Sequence, residues 1–156
     1  MNSVDVNGRE SSAPAPADLF DDVSFLLARA NAVSLAAGNA ALTAHGLRVR
    51  SYSVLALAAE ERRPSQRELA ELLRLDPSQV VALVDELQAR GLVTRRPDPN
   101  DRRANVVIAT DDGRAVYRVA AEAVRRAQAE LLQSFSGDER AQLAGLLRRL
   151  AFPDPG

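Results

Sequence analysis

Apolar side chains recur at helical spacing from Leu19 onward. Leu19, Val23, Leu26, Leu27, Ala30, Val33, Ala37 and Ala41 share a face of a long helix predicted over 18–45. Asp18, Asp21 and Asp22 stand at its start, where carboxylates suit the positive end of the helix dipole, and Gly46 supplies a stop. Residues 1–17 are rich in Ser, Ala, Pro and Asn without any period and read as a disordered arm. A second helix is predicted over 49–60, with Tyr52, Leu55 and Leu57 or Ala59 facing inward.

The next block carries two helix starts in close succession. Ser65 and Glu68 have the S-x-x-E spacing of a capping box, followed by Leu69, Ala70, Leu72 and Leu73. Asp76, Pro77 and Gln79 then open another helix: Asp76 caps it, Pro77 suits its first turn and Gln79 reaches back. Val80, Leu83, Val84 and Leu87 form its buried stripe, and Gly91 ends it. Two short helices on a tight turn, the second exposing its polar N-terminal face, make a helix-turn-helix pattern.

Beyond Gly91 the period changes. Leu92–Arg96 and Ala104–Ala109 are β-prone, and Pro97–Arg103 between them is a polar, turn-rich tip, so a hairpin is predicted. Thr110, Asp111 and Asp112 cap a long helix reaching about Gln133 and carrying Val116, Val119, Ala123, Ala127 and Leu131. Ser136 and Glu139 form another capping box, opening a last helix with Leu143, Leu146, Leu147 and Leu150 before a tail over 153–156. The fold expected is mostly α with a small two-stranded β wing: a winged helix-turn-helix over 49–109 with flanking dimerisation helices over 18–45 and 111–152, one domain over 18–152. Those flanks carry more apolar surface than one small subunit can bury, which points to a homodimer with Leu19, Val23, Leu143, Leu147 and Leu150 in its interface.

Composition narrows the chemistry. The chain of 156 residues has no cysteine and only one histidine, His45, which excludes disulfides, thiolate metal sites and multi-histidine metal sites. No nucleophile–base arrangement appears, and acidic pairs such as Asp111–Asp112 are explained by helix starts, so neither enzyme activity nor a cofactor is expected. No run of about 18 apolar residues is seen and no secretory leader, so a cytoplasmic protein without a membrane partner is expected. The formal net charge is only −1, yet all 20 basic residues are arginine, whose planar fork suits phosphates and guanine edges. Arg90, Arg95, Arg96, Arg102 and Arg103 outnumber Asp98 and Asp101 over 90–103, a local excess of three positive charges.

Gly91-Leu92-Val93-Thr94-Arg95-Arg96-Pro97-Asp98-Pro99-Asn100-Asp101-Arg102-Arg103, running on to Thr110-Asp111-Asp112-Gly113, resembles the wing of the MarR family of bacterial transcription regulators. Ser78-Gln79-Val80 and Leu83-Val84-Asp85-x-Leu87 resemble its recognition helix, and the likeness covers about 18–152. The resemblance implies a homodimer on a palindromic double-stranded DNA operator, commonly a repressor released by a small aromatic or other lipophilic effector. The chain departs from the family at Ala82 and Glu86, where members often carry basic residues; none lies between Arg74 and Arg90.

On this reading Ser65, Gln66 and Arg67 sit at a helix start suited to a phosphate, with Arg74 close by. Ser78, Gln79, Val81 and Ala82 face the bases: Gln79 suits a bidentate pair with adenine and an apolar side chain a thymine methyl, while capping alone also accounts for Gln79. Arg96, Arg102 and Arg103 neutralise phosphates, Arg103 in the minor groove, and Asp101 orients a neighbouring arginine. In similar proteins an effector pocket lies near the first helix junction, here His45, Arg48, Ser51 and Tyr52; ordinary packing also accounts for His45 and Tyr52. The competing reading is a winged-helix protein-interaction module with weak or no specific DNA binding.

Overall fold

The computed structural model describes residues 19–98, 101 and 104–153. The arm over 1–17, Asp18, the wing arginines Arg102 and Arg103, and 154–156 of the tail lie outside the described residues. The described elements run in the order α1 (Val23–Leu42), α2 (Val49–Ala59), α3 (Gln66–Leu73), α4 (Pro77–Ala89), β1 (Val93–Pro97), β2 (Asn105–Ala109), α5 (Asp111–Leu131) and α6 (Gly137–Ala151). The architecture is a winged helix-turn-helix with flanking helices.

The chain divides into two compact units between Val33 and Ser34. In the first, the helix expected from residue 18 begins only at Val23, after a 3-10 turn at Leu19–Asp21. Asp22 sets the boundary: its carboxylate accepts the Phe25 N–H at 2.7 Å, and Phe20 packs edge-on against Phe25. Leu19, Phe20, Val23 and Leu26 stay exposed.

In the second unit α1 ends at Leu42, and Thr43–His45 tighten into another 3-10 turn. The Thr43 hydroxyl bonds back to the Asn39 carbonyl at 2.8 Å, while Asn39 Oδ1 accepts the Val49 N–H at 2.9 Å. Gly46, at φ 63°, makes the left-handed exit. Val23–His45 is long and apolar enough, by length and composition alone, to cross a bilayer. That corrects the expectation that no such segment exists; the count of unbroken apolar residues misses it because Arg29, Asn31 and Asn39 interrupt the run.

Helix α2 is the centre of the fold, packed against α3, α4, α5 and β2. Its buried residues are Ser51, Val54, Leu55 and Ala58, whereas Tyr52, Leu57 and Ala59 are half-buried. Neighbours on several sides bury more than one stripe, so the expected inward face is too narrow and misses Val54 and Ala58. Val80, Val84 and Leu87 of α4 close the core from below, with Val93, Val107 and Ala109 from the wing. The two strands pair antiparallel with Val93 opposite Ala109 and Pro97 opposite Asn105.

Candidate nucleic-acid interface

Both helix starts of the helix-turn-helix are capped as their sequences require. The Ser65 hydroxyl accepts the Glu68 N–H at 3.2 Å, and Glu68 Oε2 accepts the Ser65 N–H at 2.8 Å. The Ser65 N–H and the Ser65 hydroxyl, which donates to the same Oε2 at 2.9 Å, hold the Glu68 carboxyl below its ordinary range. Ser65 also bridges to Val106, and the Pro64 carbonyl accepts the Val107 N–H at 2.8 Å. The start of α3 is thereby fastened to the wing's second strand, a contact that local sequence patterns do not announce.

Between the helices the backbone turns left-handed at Arg74, φ 52°, whose side chain is exposed. Asp76 then accepts the Ser78 N–H at 2.8 Å and its hydroxyl at 2.5 Å, bonds that lower the Asp76 pKa. Gln79 Oε1 accepts the Asp76 N–H at 3.3 Å, so in this structure Gln79 is a capping residue. Val81 and Ala82 follow on the exposed face of α4.

The wing is tied to both helices by one side chain. Arg95 donates from Nε to Gln66 Oε1 at 2.6 Å, from Nη1 to Gln88 Oε1 at 2.8 Å and from Nη2 to Asp85 Oδ1 at 2.6 Å. Its side chain is only 23% exposed. Arg90 donates to the carbonyls of Gly46 at 2.6 Å and His45 at 3.2 Å, anchoring the end of α4 to the α1–α2 junction. Two of the five arginines in the basic stretch therefore hold the fold together, and counting charge along 90–103 overstates what a phosphate meets. Arg96 is exposed, and so is Asp101 at the tip. Arg67 is exposed too, bonded to Glu71 at 2.9 Å.

The signal for Arg95 lies in the strand period. Val93 is buried, so Arg95, two residues on, shares its inward side while Arg96 turns out. An inward guanidinium needs partners, and Asp85 and Gln88, three apart on α4, provide them.

The residues expected around an effector separate. Arg48 and Ser51 line a cavity of about 780 Å³ with Asn39, Leu47, Leu83 and Glu86 among its other walls; His45 and Tyr52 do not line it. The Ser51 hydroxyl is bonded to the Arg48 backbone, accepting its N–H at 3.0 Å and donating to its carbonyl at 3.1 Å. Tyr52 instead stacks at a tilt on Tyr117, ring centroids 5.8 Å apart. Burial, then the Tyr117 neighbour, raises its pKa, so the phenol is neutral at physiological pH. Among the described residues no group of three or more His, Cys, Asp or Glu side chains could hold a metal.

Known proteins share this fold. Residues 45–104 match the family model described as MarR family. The crystal structure of a MarR-family transcriptional regulator from Rhodococcus sp. RHA1 superposes with a TM-score of 0.84 at 43% identity, covering 88% of this chain and 97% of that one. CouR from Rhodococcus jostii RHA1, solved bound to p-coumaroyl-CoA, gives 0.81 at 43% identity, covering 90% of this chain and 99% of that one. The transcriptional repressor NicR of Pseudomonas putida is 32% identical over 90 residues, 58% of this chain and 57% of NicR. The matches to curated relatives span between 52% and 65% of those proteins' length.

Proposed function

The chain belongs to the MarR family of transcriptional regulators, and from that premise we propose a cytoplasmic homodimeric repressor that binds a palindromic double-stranded DNA operator and is released by a small effector. The observation that carries the DNA reading is the Arg95 clamp, which fixes an exposed recognition helix, α4, and a wing in one rigid arrangement. A reader of two adjacent grooves needs that fixed geometry. Ser65, Gln66, Arg67 and Arg74 meet the backbone at either end of α3. Arg96, Arg102 and Arg103 supply the wing's phosphate attraction, with Arg103 in the minor groove and Asp101 steering its neighbours.

Titration of labelled duplex with the chain at a series of salt concentrations tests this. Affinity should fall steeply with salt, and Arg102→Ala or Arg103→Ala should each lower the log–log slope by about 0.9 for every phosphate no longer neutralised. A minor-groove Arg103 should also lose its preference for narrow A·T-rich flanks. No binding to any duplex at low salt would replace this reading with the protein-interaction module.

The effector site we favour is the cavity lined by Arg48 and Ser51. Its wall includes Leu83 and Glu86 of α4, so an occupant touches the recognition helix directly. The ligand in CouR makes p-coumaroyl-CoA the first compound to try. A ligand releases DNA only by binding the free form better. Saturating ligand should therefore weaken operator binding by roughly 5- to 150-fold, the usual span of such coupling. Calorimetric binding with operator affinity unchanged would sink the coupling.

A further inference from the structure

The polar side chains of α4 are already engaged within the chain. Ser78 donates to Asp76, Gln79 accepts from the Asp76 N–H, and Asp85 and Gln88 both accept from Arg95. Glu86 faces Arg90 at 3.9 Å. The surface left between these groups is apolar: Val81, 40% exposed, and Ala82. They stand three and four residues after Ser78 and so share its outward face. Val81 also borders an apolar groove of about 510 Å³ that continues past Pro77, Leu75 and Ala70.

We propose that α4 reads its operator through thymine C5-methyl groups packed on Val81 and Ala82, with Val81 as the specificity-determining residue. The inference rests on the DNA-binding reading above and names what that site recognises. Thymine is the one base that presents an apolar group in the major groove, whereas guanine is read most often by a cationic side chain. Helix α4 has no basic residue. A bidentate pair between Gln79 and adenine needs the amide's oxygen as well as its nitrogen, and that oxygen caps Asp76. The methyl contact requires no internal bond to break. Burying one methyl is worth about 0.8 kcal/mol, roughly a fourfold change in affinity.

The test begins with the full chain and duplexes selected from a random pool. In the selected sequence each thymine is replaced singly by deoxyuridine, which removes only the methyl, and each purine by its 7-deaza form, which removes the major-groove acceptor. One or two thymines per half-site should show about a fourfold loss on replacement, and the 7-deaza purines facing α4 should show none. At the thymine packed on Val81, Val81→Ala should bind thymine and uracil duplexes equally while keeping the wild-type salt slope, a combination that a purely structural role would not give. Uracil tolerated at every position, or losses confined to 7-deaza purines, would overturn the proposal while leaving DNA binding intact. A pool that enriches no sequence would overturn the regulator reading and this inference with it.

Discussion

Gly113→Ala is expected to unfold the junction between wing and α5. A Cβ at Gly113 would lie 1.9 Å from the Leu92 carbonyl oxygen and 2.9 Å from its carbon, both backbone atoms. That carbonyl cannot swing away, because it accepts the Thr110 N–H at 3.0 Å. Thr110 is itself fixed: its hydroxyl accepts the Gly113 N–H at 3.0 Å and donates to the Gly91 carbonyl at 2.6 Å. Overpacking of this kind costs about 3 kcal/mol or more, which for a domain of this size lowers Tm by roughly 6–12 °C. Gly91→Ala is the informative control. Its Cβ would meet nothing within 4 Å, so only the left-handed φ of 71° opposes it, at about 1–2 kcal/mol. Thermal melts of the two variants should rank Gly113→Ala well below Gly91→Ala. Equal melting temperatures would mean that α5 slides freely on the wing and that the close approach is unimportant.

The Thr-x-x-Gly motif is visible in the sequence, but its reason is not. Thr110 can be read as a cap from residue type alone, whereas the need for Gly113 depends on a carbonyl twenty-one positions earlier in the chain. The same division runs through the candidate interface. Capping boxes at Ser65, Asp76 and Ser136 are local, set by spacing of two to three residues, and the structure forms all three. The strand period turns Arg95 inward, but its partners, like those of Arg90 up to 45 positions away, are named by no local pattern. A count of charge along the chain therefore takes both as surface charge. Burial on α2 is misjudged for a related reason: a periodic stripe predicts one buried face, and α2 has neighbours on several. The expected effector set consists of residues adjacent in sequence, but Arg48 and Tyr52 point into different surroundings.

The surfaces left open by a single chain lead to the other large effect. In α6, Leu147 is 44% exposed and Leu150 62%; in the first compact unit Leu19 is 55% and Val23 69% exposed. Leu143 is half-buried, at the inner edge of the α6 stripe. Apolar side chains repeated along a helix face in this way are covered by a partner in a stable protein, and a second copy suits the two-fold symmetry of a palindromic site. Leu147→Asp with Leu150→Asp places two carboxylates where that partner would pack. Because both positions are exposed in the single chain, the variant should keep its helical content and melt cooperatively. Sedimentation at micromolar concentration should then fall from about twice the 16.8 kDa chain mass to that of one chain. Operator binding should fall with it, by at least about 100-fold, because the second half-site no longer gains from being held near the first. A half-site duplex should bind wild type and variant alike, since the recognition helix and wing of each chain are untouched. A variant that stays dimeric would move the interface elsewhere. A monomer that holds the full operator as tightly as wild type would show that one chain supplies all the contacts, and that the exposed leucines of α6 serve something other than DNA binding.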